Sequence, residues 1–178
     1  YLTFGLTSNA TLLTDEIMDF FAENRFNLLV SLDGPKSIHD RSRCFANGGG
    51  TFDTVMANLQ RLVKRYPDYG RQVGINMVVD PQNDYDCLNE FILDYDVFDT
   101  ISMQASPLSM DYADEKPQQS EDYRKELNYD KFLAYLKYFH RIETMPVPTL
   151  SYKDVEREVM MYEKEYPPMT QLPDKTMH

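Results

Sequence analysis

The sequence predicts an α/β protein in which four parallel strands alternate with helices, and three observations carry that expectation. Short apolar runs recur along the chain, at Leu2 to Thr7, Asn27 to Leu32, Val73 to Val79 and Thr100 to Ala105. Segments with apolar residues at three- and four-residue spacing fall between them. Each run also ends in a polar turn, so strand, turn and helix repeat in the order that gives right-handed βαβ units and a parallel sheet. Four strands cannot close a barrel, and a full eight-unit barrel takes roughly 250 residues. At 178 residues the chain is therefore either a small open sheet or an arc of a barrel. Parallel strands are normally covered on both faces, so an arc would leave a concave, partly apolar face on which a partner could associate.

The elements follow in order. After the first strand, Ser8-Asn9-Ala10 makes a turn, and Thr14 opens a helix with Asp15 and Glu16 at the positive end of its dipole and Ile17, Phe20 and Phe21 on one face. The second strand runs into a long loop. A helix then starts at Thr51 or Asp53, with Phe52, Val55, Met56, Leu59, Leu62 and Val63 along one stripe, and Pro67 closes it. Asp80-Pro81-Gln82-Asn83-Asp84 turns the third strand into a helix bearing Leu88, Phe91, Ile92 and Tyr95. The fourth strand leads into Ser106-Pro107 and a stretch from Asp111 to Glu126 that is too polar for core. Asn128 is expected to cap a helix carrying Phe132, Leu133, Leu136 and Phe139, and Ser151 with Asp154 to open a last one bearing Val155, Val159 and Tyr162. Residues 1–142 are expected to form the barrel-like part, and 143–178 a C-terminal helix and a polar tail. The opening at Tyr1, inside an alternating segment and without Met, suggests a piece of a longer chain.

Composition narrows the function. With 29 acidic and 18 basic residues the net charge is −11, which repels a nucleic-acid backbone. No stretch approaches the ~20 apolar residues that span a bilayer, and the expected location is the cytoplasm. The two cysteines, Cys44 and Cys87, form no Cys-x-x-Cys pattern and read as reduced thiols, Cys87 packed in a helix.

The tightest pattern is Ser31 to Arg43, S-L-D-G-P-K-S-I-H-D-R-S-R. Gly34-Pro35 forces a turn where the second strand gives out, so Ser31 and Asp33 are presented at a carboxyl strand end, the place where parallel α/β folds meet ligands. Asp33 can instead cap the turn, and Arg43 can pair with Asp40 on the surface. Asn76 alternates with Val78 as a ligand contact or a satisfied core asparagine. His39 reads as a hydrogen-bonder that orders the loop, His140 as a boundary residue, and Tyr129, Tyr135 and Tyr138 as packing. Asp33 and Asp80 could also act as paired carboxylates in a hydrolase.

Four segments together resemble one family. Leu6 to Thr14, L-T-S-N-A-T-L-L-T, resembles the T-N-G-T-L-L motif that ends the third strand of radical S-adenosylmethionine (SAM) peptide maturases. Ser31 to Arg43 resembles their fourth-strand motif. Gly49 to Met56 is similar to the start of the next helix, and Asn76 to Asn83 to the fifth strand and its loop. The resemblance covers about residues 1–142 and is nearest to anaerobic sulfatase-maturase-like enzymes and to thioether-forming maturases of cysteine-rich peptides.

This resemblance implies a partial (βα)6 barrel of which the chain holds strands three to six. It implies a role in modifying a peptide or protein through a 5′-deoxyadenosyl radical, with S-adenosylmethionine and a [4Fe–4S] cluster as cofactors of the complete enzyme. Ser31 and Arg43 would hold the cofactor's carboxylate, with Asp33 beside them. Ser8 and Asn9 would approach the ribose or methionyl part, and Asn76 the ribose or adenine. The chain departs from the family in having Ser-Asn-Ala for Thr-Asn-Gly, which puts Ala10 where a left-handed turn is costly. It lacks the Cys-x3-Cys-x2-Cys cluster motif, the Gly-Gly-Glu motif and the cysteine-rich C-terminal domain. No metal ligand is therefore assigned, and the chain alone is expected to hold no cluster and to be inactive. The alternative is a non-catalytic binding or scaffold module that keeps the arc.

Overall fold

The computed structural model describes residues 2–80, 86–108, 120–141, 155–156 and 158–161. Strands β1 (Gly5–Ser8), β2 (Asn27–Ser31), β3 (Gly74–Val79) and β4 (Ser102–Pro107) form one four-stranded sheet in the order β1-β2-β3-β4, every pair parallel. Helices α1 (Asp15–Glu23), α2 (Lys36–Ser42), α3 (Phe52–Arg65), α4 (Pro67–Gly70) and α5 (Asp86–Leu93) lie between the strands. A 3-10 turn at Asp96–Asp99 precedes β4, and α6 (Glu121–Tyr138) follows it.

Side-chain alternation gives the sheet two unlike faces. Leu28 and Val30 of β2 and Ile75, Met77 and Val79 of β3 are buried in one cluster with Val55, Leu59 and Leu62 of α3. The facing row is Leu29 and Ser31, then Gly74, Asn76 and Val78, each only partly buried. One face is thus sealed by helices, and the other is the open side of a barrel arc. No helix among the described residues is long and apolar enough to cross a membrane.

Two expectations are corrected. The loop after β2 contains α2, a seven-residue helix that buries His39 and has Pro35 as its N-cap, with no side-chain cap bond. Helix α6 starts at Glu121, where the Ser120 hydroxyl accepts the Tyr123 N–H at 3.0 Å, rather than at Asn128. The charged first turn of α6 hides it, because Tyr123 is its single buried residue. Val155 and Val159 pack on Ala134 in a small second cluster, while the expected start of that helix at Ser151 lies outside the described residues.

Candidate functional site

The carboxyl end of β2 builds the site. Gly34 has φ +112, a conformation that L side chains rarely adopt, and it turns the chain from the strand into α2. Asp33, just before it, is buried, and its carboxylate takes the fork of Arg43 from the far end of α2. Arg43 Nε donates to Asp33 Oδ2 at 2.6 Å and Arg43 Nη2 to Oδ1 at 3.1 Å. Asp33 Oδ1 also accepts the Val78 N–H at 3.2 Å, tying the pair to β3. Arg43 is therefore clamped by Asp33, not by Asp40.

Asp40 has another task. Thr51 offers no side-chain cap to α3, and Asp40 Oδ1 accepts the first N–H of that helix, from Phe52, at 2.9 Å. Beneath the clamp lies His39, fully buried. Its Nδ1 accepts the Asp33 N–H at 3.2 Å, and its Nε2 lies 3.0 Å from Thr51 Oγ1. Burial pushes the His39 pKa down, Asp33 and Asp40 oppose this, and Arg43 adds to it. His39 thus orders the loop, as its sequence context suggested.

The neighbouring strand end is built from turn chemistry. The Ser8 hydroxyl accepts the Ala10 N–H at 3.0 Å, and Asn9 Oδ1 accepts the Thr11 N–H at 3.2 Å and the Thr11 hydroxyl at 2.9 Å. Ala10 takes the left-handed conformation at φ +54, the cost anticipated for alanine at that place. The buried Asn58 of α3 offsets it by donating to the Ala10 carbonyl at 2.7 Å.

On the open face Ser31 pairs in register with Asn76, and Asn76 with Gln104. Asn76 Oδ1 accepts Ser106 Oγ at 2.9 Å and Gln104 Nε2 at 3.3 Å. This polar row leads toward a cleft of about 540 Å³ lined by Asp33, Arg43, Arg41, Val78, Asp80 and Leu108, among others. A smaller hollow of about 270 Å³, bounded by Asn27, Gln72, Gly74 and Ser102, lies at the amino end of the strands, away from the clamp.

The structure thus brings Ser31, Asp33, Arg43 and Asn76 together across β2 and β3. Ser8 and Asn9 lie at the carboxyl end of the adjacent β1, but the register of Ser8 with Val30 turns Ser8 to the helix-covered face. Asp33 and Asp80 line the same cleft, but both Asp33 oxygens are bound by Arg43, which favours an anchoring role for Asp33 over a hydrolytic one. Gln104, Ser106, Thr51 and Asn58 were missed. Two-residue alternation of Gln104 with Ser106 along β4 and a polar residue on a buried helical stripe were the signals for Ser106 and Asn58.

No family model matches the chain. It is 38% identical over 63 residues to the cysteine-type anaerobic sulfatase-maturating enzyme of Clostridium novyi (strain NT), a match covering 35% of this chain and 17% of that protein. It is 37% identical over 71 residues to the serine-type anaerobic sulfatase-maturating enzyme of Bacteroides thetaiotaomicron, covering 40% of this chain and 17% of the relative. Its fold is similar to that of native anSMEcpe solved with bound AdoMet and the Kp18Cys peptide, with a TM-score of 0.58 and 26% identity over 76% of this chain and 38% of that one. Against native anSMEcpe with bound AdoMet and the Cp18Cys peptide the TM-score is 0.53 at 27% identity, over 76% and 36% of the two chains. The matched part is well under half the length of these relatives. Fold and strand-end motifs together relate the chain to the radical SAM maturases. Within that class, the relatives it matches are anaerobic sulfatase-maturating enzymes.

Proposed function

We propose that this chain forms the part of a radical SAM peptide maturase that receives AdoMet (S-adenosylmethionine) at the carboxyl ends of β2 and β3. The observation that carries the reading is Arg43, whose Nε and Nη2 are fixed by Asp33 at the strand end beside the Ser31–Asn76 row, leaving the outer Nη1–Nη2 edge of the guanidinium to take a carboxylate. The donor set suits AdoMet. A guanidinium matches a carboxylate, while hydroxyl and amide groups match the amine, ribose and adenine edges. The cleft volume is within the ~300–1,000 Å³ usual for small-molecule sites. Bound AdoMet supplies hydrogen-atom abstraction from the substrate. This chain's residues orient it: Asp33 aims Arg43, and the sealed helix face keeps the sheet rigid beneath.

The sequence's two cysteines do not fit a cluster that needs three thiolates, so no step is assigned to one here. The proposed substrate class is a peptide or protein, the class of molecule bound beside AdoMet in the solved relative.

Without cluster ligands the affinity is expected to be weak, so an NMR titration of the labelled chain with millimolar AdoMet is the suitable assay. The expected shifts centre on Ser31, Arg43 and Asn76. Arg43→Ala should weaken binding by about 1.5–3 kcal/mol, the worth of a hydrogen bond to a charged group, and Arg43→Lys should recover part of it. Shifts confined to the hollow at the amino end of the strands would refute the assignment.

A further inference from the structure

We propose that His39 is a positioning residue for Arg43, its neutral Nε2–H imidazole holding the two backbone ends of the Asp33–Arg43 clamp in register. This deepens the AdoMet reading, on which it rests, because it names what keeps the proposed carboxylate ligand aimed.

The protonation pattern follows from the partners alone. The Asp33 backbone N–H can only donate, so Nδ1 at 3.2 Å must be the bare, accepting nitrogen. The Thr51 hydroxyl donates to the Arg43 carbonyl at 2.9 Å, and a carbonyl can only accept. Thr51 Oγ1 is therefore left to accept from Nε2–H at 3.0 Å. One ring thus links the backbone of Asp33, through Thr51, to the backbone of Arg43, while the two side chains close the circuit on the other side. His39 has no exposed surface, and the edge of the Phe52 ring packs against it with centroids 6.0 Å apart. It does not touch the cleft, so its effect on a ligand must pass through Arg43.

A proton on Nδ1 would set two donors against each other at Asp33 and open the circuit. The charged groups that act on the ring are Asp33, Asp40 and Arg43, while α3 presents the uncharged Thr51 and Phe52. Burial holds the ring neutral. The contribution is therefore complete above the ordinary histidine pKa of about 6.5 and is lost as pH falls through the depressed folded value.

The test is an NMR pH titration of the full chain, following the His39 ring nitrogens and the Arg43 Nε–H, with AdoMet as the probe ligand. The expected result is an Nε2–H tautomer and an Arg43 Nε–H that loses its protection from exchange in step with His39 protonation. In His39→Asn, whose Oδ1 can replace Nδ1 as acceptor but does not titrate, that pH dependence should vanish. Thr51→Val keeps the shape and removes the relay, and it should raise the AdoMet dissociation constant about three- to tenfold with the fold retained. An Arg43 Nε–H indifferent to His39 protonation overturns the inference even if AdoMet still shifts Ser31 and Asn76. An Arg43 signal that tracks His39 with no AdoMet response upholds the positioning role and removes the AdoMet reading instead.

Discussion

Cutting the Asp33–Arg43 clamp from each side gives a measurable account of how the site is held. Asp33 side-chain exposure is 10% and Arg43 30%, so the pair is neither a solvated surface bridge nor a dry one. Breaking a fully buried pair costs roughly 3–5 kcal/mol, and exposed pairs are worth about 0–1 kcal/mol. Two charge-assisted bonds in this intermediate setting should couple by about 2 kcal/mol. Asp33→Ala also strips the Val78 N–H of its acceptor, at about 1 kcal/mol more. We expect about 3 kcal/mol of destabilisation for Asp33→Ala and about 2–3 kcal/mol for Arg43→Ala, with the double variant milder than their sum by about 2 kcal/mol. For a chain of this size, a loss of about 3 kcal/mol lowers Tm by roughly 6–12 °C. Urea unfolding of the wild type, both single variants and the double variant measures the coupling, provided m is unchanged. Additivity within about 0.5 kcal/mol would falsify the clamp.

Two further outcomes test the scaffold around it. Asn58→Leu leaves the buried Ala10 carbonyl without its donor and should cost about 1–3 kcal/mol; an unchanged urea midpoint would show that Asn58 does not carry that turn. The Tyr69 hydroxyl donates to the Phe26 carbonyl at 2.8 Å, and burial raises its pKa to about 12. Because the folded value lies above the ordinary 10, its contribution is complete below pH 10 and is lost as pH rises through about 12. A stability profile from about pH 9 to 12 should show this loss, and Tyr69→Phe should remove it.

The strands and the long α3 were legible because their signals are local. Four apolar runs bounded by turns leave little choice of element, and the stripe from Phe52 to Leu62 fits a helix only. Helix α2 was not legible: seven residues are too few for periodicity to register, its N-cap Pro35 makes no side-chain bond, and Ile38 and His39 alone carry its buried side. The strand-end positions of Ser31, Asp33 and Asn76 could be read from pattern, because alternation and turn chemistry place residues along the chain. Pairing could not. That Arg43 takes Asp33 rather than Asp40, while Asp40 caps α3 across a loop, depends on distances in space that the local sequence does not encode.

The positions of both strand-end loops trace back to one helix. The N-terminus of α3 is held by Asp40, and Thr51, its N-cap residue, bonds the Arg43 carbonyl, which registers the β2 loop against the helix start. Two turns further on, Asn58 holds the Ala10 carbonyl and Arg61 the Leu13 carbonyl at 2.6 Å, which registers the β1 loop on the same rod. Still further along, Arg65 forks onto Asp19 of α1 at 2.8 and 3.0 Å. The adjoining face of α3 sinks Val55, Leu59 and Leu62 into the core under the sheet. A ligand spanning the carboxyl ends of β1, β2 and β3 therefore meets loops whose spacing is set by the helical rise of one buried element. Irregular backbone can hold a site to within fractions of an ångström only when rigid structure fixes it in this way.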